Sequence, residues 1–214
     1  MIGPARPSDA AIAARLADER VPASYVEVGA TADPRALERL GSRYTVDRHR
    51  FPVGRGRAVF ERAGAALFAW RHFEIPWLAL HGADAPVRPG QIVATRTRVF
   101  GLWFVNPCRV VYVEPDEGAG ERVAYAYGTL EGHVARGEER FVVERDPSSD
   151  VVTFEIVAFS RPATVLTRLG RFWMRRIQQR FGRDASAALA RAIATPDETP
   201  RVDRRERSRE GERA

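Results

Sequence analysis

The sequence predicts an α+β fold in which a curved, antiparallel, seven-stranded sheet wraps around a long C-terminal helix. Three observations carry that expectation. Near the end of the chain Leu166, Leu169, Trp173, Ile177 and Phe181 fall on one stripe at helical spacing. Six runs of strand-forming residues precede that stripe between Trp77 and Phe159, each bounded by turn-forming residues. The connections between these runs are too short for parallel crossovers, which need about a dozen residues, so neighbouring strands pair antiparallel.

In chain order, residues 1–21 form an N-terminal extension with a short helix from Ser8, expected to be mobile or lightly packed. Residues 25–29, YVEVG, read as the first strand. Asp33 and Pro34 suit the N-cap and first turn of a short helix ending at Gly41. A longer helix is predicted over 57–73, where Val59, Phe60, Ala63, Ala66, Leu67, Trp70 and Phe73 make one apolar face. Strands follow at 77–80, 91–100, 109–114, 122–128, 139–144 and 151–159. The segment 99–107, VFGLWFVNP, is more apolar than a turn requires, and reads either as a ligand-facing bulge or as packing over an open end of the sheet. Ser160 is expected to cap the terminal helix, with Pro162 in its first turn and a break near Gly182 before Ile193. One strand, two helices, six strands and a terminal helix is the element order of a helix-grip fold, which leaves room for a cavity between sheet and helix.

Composition narrows the chemistry. A chain of 214 residues with 44% hydrophobic residues supports one sizeable core. Residues 22–195 are the expected domain, and 196–214, dense in both signs of charge, the expected disordered tail. The chain has no apolar run long enough to span a bilayer, so no transmembrane segment is expected, and its first twenty residues carry charges where a signal peptide needs an apolar stretch; a cytoplasmic protein is the expectation. All 34 basic residues are arginine, which excludes Schiff-base chemistry, pyridoxal phosphate attachment and a Walker A loop. The single cysteine, Cys108, excludes intrachain disulfides and multi-thiolate zinc sites, so neither cofactor nor metal is expected. The net charge of +6 is concentrated in 161–183, which holds seven arginines and no acid, leaving the remainder close to neutral. That segment is expected to support at most weak, salt-sensitive polyanion binding, without specificity for a nucleic acid.

Five blocks carry a resemblance to a known family: YVEVGAT, VGRGRAVFERAGAALFAW, PCRVVYV, AYGTLEGHVARGEERFVVE and FEIVAFSRPATVLTRLG. In these the chain resembles an uncharacterised bacterial and plant family known only as a domain of unknown function. That family is grouped with START-like and birch-pollen-allergen-like helix-grip proteins, many of which bind sterols, lipids, polyketides or other apolar molecules. The resemblance implies the same fold and a ligand cavity of that kind.

The candidate ligand-binding residues are Trp70, Trp77, Tyr127, His133, Glu138, Arg161 and Trp173. The aromatics supply apolar walls, or simply fill the core. His133 with Glu138 or Glu139 offers an imidazole and a carboxylate for acid–base work, or a charged hairpin rim; adjacent strand residues face opposite ways, so only one of the two glutamates can face a cavity. Arg161 either pairs with one of these glutamates or anchors a ligand carboxylate. Gly54-Arg55-Gly56 reads as a tight turn before a helix, with anion binding as the alternative. Binding of an apolar or amphipathic small molecule is the leading functional expectation. The alternatives are an enzyme on the same scaffold, cyclase- or hydrolase-like, using His133, Tyr127 and a glutamate, or a basic helix docking on anionic membrane or RNA.

Overall fold

A computed structural model describes residues 2–115, 121–163 and 171–194. Its centre is a curled antiparallel half-barrel of seven strands in the order β2-β8-β7-β6-β5-β4-β3. These are β2 (Thr45–Arg55), β3 (Leu78–His81), β4 (Ile92–Val99), β5 (Leu102–Glu114), β6 (Arg122–Thr129), β7 (Ala135–Arg145) and β8 (Val151–Pro162). A short β1 (Ile2–Gly3) adds to β5 outside this path. Helices α1 (Asp9–Leu16), α2 (Pro34–Leu40) and α3 (Arg57–Phe68) precede the meander, and α4 (Arg171–Ala194) lies in the concave face. This is the helix-grip arrangement.

The concave face holds the main core. Phe60 and Leu67 of α3, Tyr125, Phe141 and Phe154 of the sheet and Leu189 of α4 are all at most 2% exposed. Burying a side chain of that size contributes about 1.5–3 kcal/mol. The predicted break near Gly182 does not occur: the helix runs unbroken through it, with Gly182 buried beside Phe51 and Ile156. On the convex face, Tyr25, Leu37, Leu40 and Tyr44 cover Val157 and Phe159 of β8. The N-terminal segment is docked too: Ile12 of α1 is fully buried against Ala94 and Val105, and Asp9 pairs with the buried Arg96.

Several expectations need correction. Residues 25–29 are not a strand; Ala23 makes an isolated bridge to Leu130, and beyond it Val26 and Val28 stand 84% and 54% exposed. The seventh strand is instead β2, on the edge of the sheet. Ser160 and Pro162 do not open a helix. They extend β8, paired with Thr45 and Ala135 respectively, so ladder pairing overrides the local capping signal. The segment 99–107 is neither a ligand-facing bulge nor a cover over an open end of the sheet. Phe100 and Gly101, with φ of 50° and 80°, form a two-residue hairpin that pairs Val99 with Leu102 and continues both strands. The predicted helix over 57–73 ends at Phe68, followed by a 3-10 turn at Arg71–Phe73. Gly54-Arg55-Gly56 is not a separate turn: Gly54 and Arg55 end β2, paired with Val152 and Val151, and Gly56 alone, at φ 91°, makes the connection into α3. Leu166, Leu169 and the tail at 196–214 lie outside the described residues.

Candidate functional site

Between the concave face and α4 lies a cavity of about 180 Å³, partly open to solvent. Its apolar wall comes from Phe73, Trp77, Tyr127, Ile177 and Phe181. Its polar wall is unusual for a sheet interior, with Thr95 and Thr97 of β4, Asn106 of β5, Thr129 of β6 and Ser160 of β8 turned inward. A narrow extension continues past Glu139 to Asp47, His49 and Gln178.

The acid in this cavity is Glu139. It pairs with Tyr127 in the sheet register, so the two side chains leave the same face. The Tyr127 hydroxyl donates to Glu139 Oε2 at 2.7 Å. No other hydrogen bond reaches the carboxylate among the described residues, and Glu139 keeps partial exposure toward the cavity. Burial raises its carboxyl to about 7; the Tyr127 hydrogen bond acts against the rise and Asp47 adds to it. Burial also pushes the Tyr127 hydroxyl and the Cys108 thiol well up, so both stay protonated.

His133 lines the cavity from the turn between β6 and β7. Its Nδ1 accepts the Ala135 backbone N–H at 2.9 Å, and burial lowers the imidazole to about 4. The ring is therefore neutral at physiological pH, with Nδ1 held between the N–H and, at 3.1 Å, the carbonyl of Ala135. Trp77 is steered by α4: its indole N–H donates to Asp184 at 2.7 Å, and the Arg180 guanidinium stacks 4.9 Å from its ring centre.

The structure thus gathers Trp77, Tyr127 and His133 of the seven candidates; Glu138 borders the cavity but turns its carboxylate to the other face, and Trp70, Arg161 and Trp173 lie elsewhere. Trp70 is 4% exposed in the core under α3, donating to the Ala85 carbonyl at 3.1 Å. Arg161 lies on the convex face, its guanidinium 4.8 Å from the Tyr44 ring centre, so it neither pairs with Glu138 or Glu139 nor reaches the cavity. Trp173 is 51% exposed, edge-on to Phe100 at the β4–β5 hairpin tip. Glu138 faces the opposite way from Glu139. Its Oε2 accepts the Tyr25 hydroxyl and the Gly29 N–H, both at 2.7 Å, and its Oε1 accepts the Thr31 N–H at 3.0 Å and the Thr31 hydroxyl. Tyr25 reaches it by lying directly over Gly128, where any Cβ would fall 1.9 Å from the tyrosine oxygen.

The polar cavity residues absent from the candidates, Thr95, Thr97, Asn106, Thr129 and Gln178, stand at positions facing inward, and the apolar ones, Phe73, Ile177 and Phe181, read simply as core. In ATRTR the threonines face in while Arg96 turns out, so neither face reads as apolar. Among the described residues no group of three or more His, Cys, Asp or Glu is placed to hold a metal, and no helix is long and apolar enough to cross a membrane.

A half-barrel closed by a terminal helix over a polar-walled cavity defines a helix-grip protein. The chain belongs to the family described as Domain of unknown function (DUF1990), which matches residues 24–188. Its relatives include UPF0548 proteins of Deinococcus radiodurans, 38% identical over 87% of this chain and 96% of that one, and of Dictyostelium discoideum, 32% identical over 78% and 81%. Among solved structures, Ara h 8.0201 superposes with a TM-score of 0.44 at 8% identity, covering 72% of this chain and 99% of that one. A Thalictrum norcoclaurine synthase mutant bound to a transition-state analogue gives 0.46 at 10% identity, covering 71% and 97%.

Proposed function

We infer that this protein binds a compact, partly polar small molecule in the cavity between sheet and α4. The observation that carries the reading is the inward row of Thr95, Thr97 and Asn106 facing the aromatic wall of Trp77, Tyr127 and Phe181; the hydroxyl of the neighbouring Thr129 is taken up by the Gly137 backbone and Ser24. Polar groups at interior positions weaken a core unless they are satisfied, and a few convergent polar groups in an apolar pocket are what orients a ligand. Size narrows the class. A dry cavity of about 150 Å³ accommodates benzene, whereas drug-sized ligands occupy about 300–1,000 Å³. The cavity of about 180 Å³ therefore suits one ring with a short arm, and is too small for a sterol or a two-chain lipid. Titration with single-ring aromatics, followed by backbone amide shifts, tests this. Shifts should cluster at Thr95, Tyr127, Glu139 and Phe181; saturating ligand with no shifts there sinks the reading.

One observation favours catalysis on the same site. A carboxyl near 7, hydrogen-bonded to a tyrosine inside a cavity, is poised to accept and return a proton at physiological pH. A turnover governed by one ionisation near pH 7, abolished in Glu139→Gln and insensitive to His133→Gln, would establish it. Activity that survives in Glu139→Gln would remove it.

The basic-segment alternative has less support. Arg161 stacks on Tyr44, Arg175 pairs with Asp47, Arg180 pairs with Asp184, and Arg176 stacks on Phe172, so each of these four has a partner within the chain.

A further inference from the structure

Glu139 is a carboxylate with half of its hydrogen-bonding capacity unused. Oε2 accepts from Tyr127, while Oε1 has no partner among the described residues. The side chain retains exposure on its cavity side, so the unused oxygen is open to an occupant. Among the described residues no arginine lines the cavity, and its one histidine, His133, is held neutral. Among the described residues, the other groups facing Glu139 are a neutral donor, an amide, a paired acid and one imidazole. Tyr127 from β6 is a neutral donor, Gln178 from α4 is uncharged, and Asp47 from β2 is an acid whose charge is taken by Arg175. His49 of β2 lines the same narrow extension.

We propose that the cavity selects a small amine, one apolar ring on a short arm, whose ammonium docks on the free oxygen of Glu139 while the ring lies against Trp77 and Phe181. The assignment deepens the binding reading above and rests on it. A desolvated carboxylate with a single neutral donor is electrostatically incomplete, and a bound cation is the group that completes it. The raised carboxyl of Glu139 reflects the same deficit, since an ammonium at hydrogen-bond distance would favour the ionised form. Charge-assisted hydrogen bonds are about twice as strong as neutral ones, so the site discriminates against a neutral isostere of equal shape. It discriminates more strongly against a carboxylate ligand, which would bring a second negative charge beside Glu139.

The test uses the full-length chain and three ligands of nearly equal size: benzylamine, ethylbenzene and benzoate, titrated by calorimetry at pH 8, where Glu139 is ionised. Benzylamine should bind at least about ten-fold more tightly than ethylbenzene, and benzoate more weakly than either. In Glu139→Gln the preference for the amine should vanish, while ethylbenzene affinity stays within about three-fold and so reports an intact cavity. Ethylbenzene binding as well as benzylamine, or an amine preference that survives Glu139→Gln, overturns the amine assignment and leaves the cavity reading standing. Failure of all three ligands to bind the unmodified protein removes both. The three-ligand comparison on the unmodified chain decides the assignment even if the variant does not fold.

Discussion

Glu138 and Glu139 are neighbours on β7 and differ in almost everything that follows from that. Glu138, on the convex side, is 2% exposed and receives four donors on its two oxygens. Those donors come from residues 25–31, a segment without regular hydrogen-bonded strand structure, which the carboxylate effectively pins to the sheet. Glu139, on the concave side, has one donor and a free oxygen in a cavity. The same side chain is a structural clasp on one face and an unfinished site on the other, and what separates them is whether the chain itself supplies every partner. A fully satisfied buried carboxylate stabilises the fold; a partly satisfied one is retained at a cost, which is the signature expected of a group kept for function.

The sharpest way to break this comparison is the same isosteric change at both positions. Glu138→Gln replaces one acceptor oxygen by an NH₂ group. At Oε2 that group would oppose the Gly29 N–H and at Oε1 the Thr31 N–H, and neither backbone donor can reverse its role. One buried donor is left unpaired in either orientation, and a charge-assisted network is lost. The expected destabilisation is about 2–4 kcal/mol in urea or guanidinium unfolding. A loss below about 0.5 kcal/mol would show that the segment 25–31 does not depend on this clasp.

Glu139→Gln should have a smaller effect of opposite sign, and one that depends on pH. Its carboxyl moves from an ordinary 4.5 to about 7 in the fold, so the native state binds the extra proton between those values. The stability it contributes is complete below about 4.5 and is lost as pH rises through 7. The variant should therefore gain on the unmodified protein between pH 5 and 8, by about 1–3 kcal/mol, with cavity water reducing the full value of the shift. The buried histidines act in the other direction. His133 and His72, lowered to about 4 and about 3, contribute stability above 6.5 that is lost as pH falls through those values. That acid limb should be present in both proteins. Parallel stability curves above pH 5 would mean that Glu139 is not desolvated.

The comparison also explains what could be read in advance. The five central strands were legible in outline because their concave residues, such as Tyr125, Phe141, Phe154 and Ile156, alternate with residues of the other face. β2 was not, since its inner positions Asp47 and His49 line the cavity's narrow extension while its outer positions Arg48 and Arg50 pair with Glu155, and both faces are polar. Pro52 then fits only because β2 is an edge strand. The opposite error at 25–29 has the opposite cause. Tyr25 and Gly29 look strand-like locally, but their hydroxyl and N–H are committed to a carboxylate more than a hundred residues away. Alternation did establish that only one of Glu138 and Glu139 could face a cavity. Which one depends on the phase of β7 relative to Tyr127 and Phe141, and that phase is set by tertiary pairing.

The smallest expected effect separates size from completeness of contact. Trp173 is a large aromatic on the predicted stripe of α4, one helical turn before the cavity residue Ile177, and its position alone suggests a pocket wall. The structure instead leaves it 51% exposed, with edge contacts to Phe100 at 5.1 Å and Phe172 at 5.7 Å, both of which are themselves mostly exposed. Trp173→Ala removes little burial and opens no cavity, so it should cost less than about 1 kcal/mol. Phe154, smaller but fully buried and stacked on Phe141, should cost about 3–5 kcal/mol when changed to alanine, because truncation there leaves an unfilled void. Binding of a single-ring ligand supplies a second axis. Truncating Trp173 should leave it within about two-fold, whereas Phe181→Ala, which removes part of the cavity wall, should change it by ten-fold or more. A Trp173→Ala protein that lost several kcal/mol or released the ligand would place this residue against the cavity, and would extend the unfinished face of the sheet from Glu139 to the β4–β5 hairpin.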